Sequence, residues 1–534
     1  METTVSYKQH DLENEWDAIV IGSGIGGLST AAILSKSGEK VLVLEQHYTA
    51  GGFTHVFKRP GYEWDVGLHY IGEVNRPDSM LRKLFDYVTD GELEWADMGE
   101  VYDRICIGDD IYPFRKGTDN FKAELKEQFS APEDRRAIDE YVDLVYEVAS
   151  AAQNFFTEKA LPPLLGKVAG LFLRRKYMNY ARRTTDEVMR ELTDNERLIA
   201  VLTGQWGDYG LPPAEGSFAM HATVARHYFG GGSYPVGGSG EILETIAPVI
   251  QESGGRVVTN ARVDRVDVVD GEAVGVTIAD GRSIEAPIVV SDAGFENTWR
   301  NLVSSEVARE AGMVEKLEVV EPSASHLCLY IGLQKTAEEL DLPKANYWLY
   351  PENVDHEANL ERFARDPENA PLPVAYISFP SAKDPAWEER YPGTATIEII
   401  TVAPYEWFQK WEGTRWKNRG EEYEEFKEML SGRLLEKLYE VEPQTEGHVD
   451  HHELSTPLST RHFANYQTGE IYGLAHTPER FEQEYLRPHT PVDNLYMTGQ
   501  DVATCGVGGA LVASMLTVGA VLGKDAVKTV LPGL

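Results

Sequence analysis

The chain has few of the groups that build stapled, metal-bound or nucleic-acid-binding domains. Only three cysteines occur in 534 residues, Cys106, Cys328 and Cys505, far apart and with no CxxC pair. That excludes a disulfide framework and a thiolate zinc site, and it fits a reducing compartment. Positive charge is scarce: 50 Lys and Arg face 86 Asp and Glu, a formal net charge of −36. A chain this acidic repels phosphate backbones, so no nucleic acid partner is expected. The opening METTVSYKQHDLENEW has neither the apolar run of a signal peptide nor the basic amphipathic pattern of a transit peptide. Long uncharged apolar runs are absent but for one, Val502 to Gly523. On length alone that stretch spans a bilayer. Four of its five glycines sit at its ends, where a helix starts and stops, so a buried helix is expected and a tail anchor is the alternative.

What is present is a globular composition, 42% hydrophobic and 25% charged, in a chain long enough for a large two-domain enzyme. Residues 17–22, DAIVIG, form a short apolar β-branched run. GSGIGG follows, then LSTAAILSKSG with helical spacing, then KVLVLE. Strand, glycine turn, helix and strand within about 30 residues make a βαβ unit that binds a dinucleotide. Gly22, Ser23, Gly24, Gly26 and Gly27 are its candidate residues. Gly22 permits the tight turn, Gly24 lets backbone approach a pyrophosphate, and Gly27 lets the helix pack on the sheet. The helix N-terminus supplies N–H donors and partial positive charge. Glu45, 18 residues after Gly27, is placed to accept from ribose hydroxyls and to repel a 2′-phosphate, so FAD or NAD is expected and not NADP.

Gly51-Gly52 follows so soon after Glu45 that the chain should fold back over the dinucleotide, which favours a flavin. Near the C-terminus, Thr498-Gly499-Gln500-Asp501 leads into Cys505-Gly506-Val507-Gly508-Gly509. Asp501 is a candidate for ribityl hydroxyls. The glycine-rich helix start, with Gly499 and Gly508, would face the pyrimidine end of a flavin, which becomes anionic on reduction. Between these motifs, residues 121–225 look helical, and 255–291 alternate around DGE and DGR turns like an antiparallel meander. HLCLYIGL and TATIEIITV read as further strands. No second GxGxxG has a βαβ context, so no NAD(P)H domain is expected, and electrons must come from a docked reductant, leave to an external acceptor, or cycle without net change.

These segments resemble the FAD-dependent phytoene desaturase-like superfamily and, within it, the retinol saturase and carotenoid isomerase branch. The resemblance rests on DAIVIGSGIGGLSTAAILSKSGEKVLVLEQHYTAGGFTH, YEWDVGLHYIG, SYPVGGSGEILETIAPVIQESGGRV, GEIYGLAHTPERF and RPHTPVDNLYMTGQDVATCGVGGAL, spread from residue 17 to about 523. One departure is Gly52-Phe53-Thr54-His55, where many relatives carry cysteines. The resemblance implies an α/β fold: a doubly wound, glutathione-reductase-type FAD domain with a β-meander (16–110, 225–300 and 485–534) and a mixed α+β substrate domain (111–224 and 301–484). It implies non-covalent FAD and a backbone contact from Val263 to adenine. It implies redox chemistry on carbon–carbon double bonds of a polyene or acyl lipid, with saturation by hydride transfer placed first. Cis–trans isomerisation, desaturation and amine oxidation are the alternatives.

Tyr62-Glu63-Trp64-Asp65-Val66-Gly67-Leu68-His69-Tyr70 is the polar cluster nearest the folded-back glycines. His69 or Tyr70 is a candidate proton donor; the competing reading is a capping Asp65 and a hydrogen-bonded buried histidine. His451-His452-Glu453 reads as a surface strand end. Finally, residues 161–183 place six cations, Lys167, Arg174, Arg175, Lys176, Arg182 and Arg183, beside six large apolar residues. In so acidic a chain this suggests peripheral docking of 155–185 on a membrane, from a cytoplasmic location, with an ordinary helix of the substrate domain as the alternative.

Overall fold

The structure, a computed structural model, describes residues 3–9 and 12–523. Its first layer is a six-stranded parallel sheet. The order is Val5–Ser6, Arg256–Thr259, Val41–Leu44, Ala18–Ile21, Val289–Ser291 and Leu495–Met497. Parallel strands must be covered on both faces, and the central strands Ala18–Ile21 and Val41–Leu44 are apolar and buried throughout. Ala18 and Val20 face the helices Ile25–Lys36, Met80–Val88, Glu241–Glu252 and Gly506–Leu522. Ile19 and Ile21 face the opposite way, onto the meander Val263–Val269, Glu272–Ile278 and Ser283–Glu285.

The second unit is a seven-stranded mixed sheet. Its order is Val449–Ser455, His326–Leu333, Ala395–Val402, Ala375–Ser378, Asn346–Tyr350, Val101–Ile107 and Asp110–Arg115. Alternation decides its two faces. Leu327, Leu329, Ile331, Ile397 and Ile399 pack with Leu430, Leu434 and Leu438 of the helix Glu421–Val441. The intervening residues, among them His326, Tyr330, Glu398, Ile400 and Val402, turn toward the first unit. A helical lobe built on Pro132–Lys159 and Phe218–Tyr228 closes the remaining side.

Two boundaries differ from the sequence reading. Val101–Ile107 lies inside the stretch assigned to the dinucleotide domain, yet it pairs with Asn346–Tyr350 and Asp110–Arg115 in the seven-stranded sheet. An apolar strand carries no local sign of which sheet it will join. Val5–Ser6, upstream of the boundary drawn at residue 16, adds an edge strand to the parallel sheet.

The uncharged C-terminal run forms the helix Gly506–Leu522, packed on the sheet and on the helix Ile25–Lys36. Among the described residues no helix is long and apolar enough to cross a membrane. Leu511 in this helix is fully buried. Leu511→Ala should therefore lower stability by about 2–5 kcal/mol, read as a fall in the denaturation midpoint. A helix held in lipid would leave the midpoint unchanged.

Candidate functional site

The helix Ile25–Lys36 begins with no side-chain cap on its N-terminal amides. Such amides need an acceptor. Here the Asp292 carboxyl lies against the turn: a Cβ built on Gly26 would stand 2.6 Å from its Oδ1 and one on Gly27 3.0 Å from its Oδ2. The glycines are required by contact. A Cβ on Gly24 would lie 2.7 Å from Asp292 Oδ2, and one on Gly26 would lie 2.7 Å from Gly499 Cα. A Cβ on Gly27 would collide with the carbonyl of Gly22, itself in a left-handed conformation at φ 100°. One on Gly52 would lie 2.8 Å from Gly24 Cα, so the folded-back glycine pair does seat on the turn.

Glu45 is held before any ligand arrives. Its Oε2 accepts from Ser23 N at 3.0 Å and Ser23 Oγ at 2.6 Å, and its Oε1 from His47 N at 2.8 Å. Ser23 Oγ also accepts from Gly51 N at 3.1 Å, so this serine ties both loops to Glu45.

A single cavity of about 1080 Å³ runs from this cradle into the substrate unit. It is bordered by Gly22, Ser23, Gly24, Gly26, Glu45, Gly52, Val263, Gly499 and Asp501 of the expected set. Gly27 and Gly51 lie just behind its wall. Gly508 does not reach it: a Cβ there would meet Leu81 at 3.2 Å, so this glycine serves helix packing. Asp501 has less freedom than a ribityl ligand would want. Its oxygens accept from Phe295 N at 2.7 Å and Leu474 N at 2.9 Å, with Arg480 Nη1 3.6 Å away. It clamps three segments as well as lining the cavity.

The far part of the cavity is walled by Trp348, Val374, Tyr376, Ile400, Val402 and Tyr472, a mostly apolar surface. His69 lines it, with Nδ1 2.7 Å from Glu398 Oε2. Burial, reinforced by Lys383, pushes His69 down to about 3, while burial pushes Glu398 up to about 8. Burial thus favours the uncharged form of each, an imidazole beside a carboxylic acid. Lys383, lowered to about 7 by burial, donates to the His69 carbonyl at 3.0 Å and to Ser378 Oγ at 2.7 Å. Tyr70 is not on the cavity wall. Its ring stacks on Tyr228 at 4.2 Å, and its hydroxyl lies between Asp103 and Asp208. Asp65 accepts from Ser239 N at 2.9 Å and from the Tyr234 hydroxyl, which is the backbone-capping reading.

Asp292, Glu398 and Asp208 were missed by sequence reasoning. Asp292 had a signal: VVSDAG repeats the strand–acid–glycine pattern of the Asp501 segment. Glu398 had a weaker one, a lone acid in the apolar strand Ala395–Val402.

The flavin-containing amine oxidoreductase family matches residues 25–522. The chain belongs to this family. Among curated proteins, an all-trans-retinol 13,14-reductase of Danio rerio is 40% identical over 95% of the chain and 86% of its own length. Its Homo sapiens counterpart is 36% identical over 97% and 88%. A chloroplastic prolycopene isomerase of an Oncidium hybrid cultivar is 26% identical over 86% and 75%. Within the flavin oxidoreductases the chain thus falls in the retinol saturase and carotenoid isomerase branch. Solved structures share the fold: an oxidoreductase from Methanosarcina mazei has a TM-score of 0.64 at 17% identity, covering 95% of this chain and 100% of that one. Putrescine oxidase bound to putrescine gives 0.61 at 15%, covering 96% and 99%.

The residues present fit the flavin that the family name carries. Bare amides at a helix N-terminus, a carboxylate standing in for an anion, a pre-set Glu45 and close-packed glycines are what a dinucleotide needs. Asp292 makes that fit depend on pH. Burial, with the nearby Glu45 and Asp501 charges, pushes its carboxyl up to about 7. An approaching diphosphate raises it further, so binding favours the protonated form. Flavin affinity should be full below pH 7 and weaken as pH rises above it. Asp292→Asn should remove that dependence, measured by flavin fluorescence titration from pH 6 to 9.

Proposed function

We propose that the chain binds FAD non-covalently and reduces a carbon–carbon double bond of a retinoid-like polyene. The observation that carries this is the cavity itself, a dinucleotide cradle continuous with an apolar lobe, in a chain 40% identical to a retinol 13,14-reductase. Its volume of about 1080 Å³ exceeds the ~300–1,000 Å³ of pockets that hold one small ligand, so cofactor and substrate can share it. Reduced flavin supplies a hydride, and the protein orients the polyene and supplies a proton. The prolycopene isomerase relatives favour a second reading, cis–trans isomerisation at the same site without net reduction.

The test is anaerobic. Photoreduced holoprotein mixed with all-trans-retinol should regain its oxidised flavin absorbance and yield a product heavier by two hydrogens. Unchanged mass with altered double-bond geometry would favour isomerisation, and no reaction with any retinoid or carotenoid would defeat the reading.

Substrate of this kind resides in bilayers, and we propose that the helix Pro163–Leu173 docks on an anionic lipid surface. Leu165, Val168, Leu171 and Phe172 lie on one helical face and are 61%, 67%, 74% and 81% exposed. Lys167 and Arg175, exposed beside them, have no ion pair with a described residue. Arg174 is different from the sequence reading: it pairs with buried Glu158 at 2.6 Å and with Glu484 at 3.0 Å, so it is structural. The docking energy then comes mainly from the apolar face. Leu171→Glu with Phe172→Glu should cut binding to phosphatidylcholine–phosphatidylserine vesicles at least tenfold, at about 1.5 kcal/mol or more per side chain lost, with flavin content unchanged. Undiminished binding would make this an ordinary surface helix.

A further inference from the structure

A proton donor for the reduction can be found by counting hydrogens around Tyr70. Its hydroxyl lies 2.8 Å from Asp103 Oδ2 and 3.1 Å from Asp208 Oδ2. A phenol has one hydrogen and can donate to only one of these carboxyls. Facing the other as an anion would set oxygen lone pairs against each other in a buried place, which is costly. One of the two aspartates must therefore carry a proton of its own.

The partners decide which. Asp103 accepts from three donors: Gln205 Nε2 at 2.7 Å, Asn346 Nδ2 at 2.9 Å and Tyr70. A carboxylate so surrounded is the stabilised anion. Among the described residues Asp208 has Tyr70 as its one side-chain hydrogen-bond partner. Its carboxyl is raised well above the ordinary range by burial and by the Asp103 charge, whereas Asp103 is pushed up to only about 6. The hydrogen-bond geometry thus assigns the proton to Asp208, its hydrogen toward the Tyr70 oxygen, while Tyr70 donates onward to Asp103.

Position gives this acid a use. Asp208 borders the cavity, and Tyr70 and Asp103 lie behind it. It ends the turn Trp206–Asp208, where Gly207 lets the backbone sit against the Trp348 ring: a Cβ on that glycine would be 2.6 Å from the ring edge. The Asp208 carbonyl lies 3.6 Å from Cys505 Sγ, at the start of the helix Gly506–Leu522. Asp208 therefore borders the cavity close to Gly506 and Val507, which also line it.

We propose that Asp208 is the catalytic proton donor, a role that rests on the polyene-reduction reading. A bound reduced flavin would supply the hydride for one C–H bond and the two electrons of the reduction. The electron pair of the former double bond takes the proton of Asp208 at the neighbouring carbon, and the Asp208 O–H bond breaks. The product gains two hydrogens, and the Asp208 carboxylate is left to be reprotonated from solvent once the product has gone. Meanwhile the Tyr70 hydroxyl can turn its hydrogen to the new anion. Tyr70 and Asp103 are positioning residues; His69, a neutral imidazole against Glu398, is not needed as an acid.

Asp208→Asn keeps the shape and the hydrogen bond to Tyr70 but has no acidic proton. In photoreduced holoprotein it should slow retinol-driven flavin reoxidation by about 10²–10⁴-fold with KM and flavin content near wild type. Difference infrared spectra at pH 7 should show a carboxylic-acid C=O band in the wild type that Asp208→Asn lacks. Asp208→Glu, which restores an acid, should recover part of the rate. The proposal is overturned if Asp208→Asn reacts within a few fold of wild type, or if the band is missing from the wild type or persists in the variant. A wild type unreactive with every polyene overturns the polyene reading and the donor's role with it. An active wild type with an equally active variant overturns the donor alone.

Discussion

The molecule is organised around one unsatisfied helix end. The amides that open Ile25–Lys36 have no capping side chain and lie at the bottom of a cavity, where an unpaired donor is costly. The Asp292 carboxyl lies against them. That requirement explains the surrounding economy of side chains. Gly24, Gly26, Gly52 and Gly499 come from three separate segments and meet at distances that admit no Cβ. Each could be replaced elsewhere in the fold; here each would block either the anion or the neighbouring loop.

The substrate unit solves a different problem. Asp65, Asp103, Asp208, Lys383 and Glu398 are carried by strands and turns into a largely apolar interior. Charges cannot be buried unpaired at low cost, so the cluster partly neutralises itself. Glu398 rises to about 8, Lys383 falls to about 7, and Asp208 rises well above its usual range. The result is a set of polar groups near the apolar cavity that hold protons at neutral pH. Such a set is what hydrogenation of a lipid calls for, because water is otherwise the available acid and an apolar lobe excludes it.

The exposed apolar helix is joined to the cofactor end by a short chain of buried contacts. Arg174, at the end of Pro163–Leu173, pairs with Glu158, which also holds Arg487 Nη2 at 2.7 Å. The adjacent Lys159 donates to the carbonyls of Leu486 at 2.7 Å and Val502 at 3.0 Å. Val502 follows Asp501 directly. The exposed apolar helix and the cavity wall are therefore parts of one packed body.

The sequence alone determined the dinucleotide half, because that half is made from local rules. A strand of AIVI, a glycine turn and an acid at the next strand end are read in order along the chain, and each has a reason that does not depend on distant residues. The meander and the buried C-terminal helix were legible for the same reason: turn pairs and end glycines are local signals. The tertiary structure decided what rests on contact between remote segments. It moved Val101–Ile107 into the other sheet, put Arg174 on Glu158, turned Gly508 toward Leu81 and removed Tyr70 from the cavity wall. It also brought Asp208, Tyr70 and Asp103 together, although Tyr70 and Asp208 are 138 positions apart in the chain. Burial and proximity set the charge on a carboxyl, and neither is a property of the residues beside it in sequence.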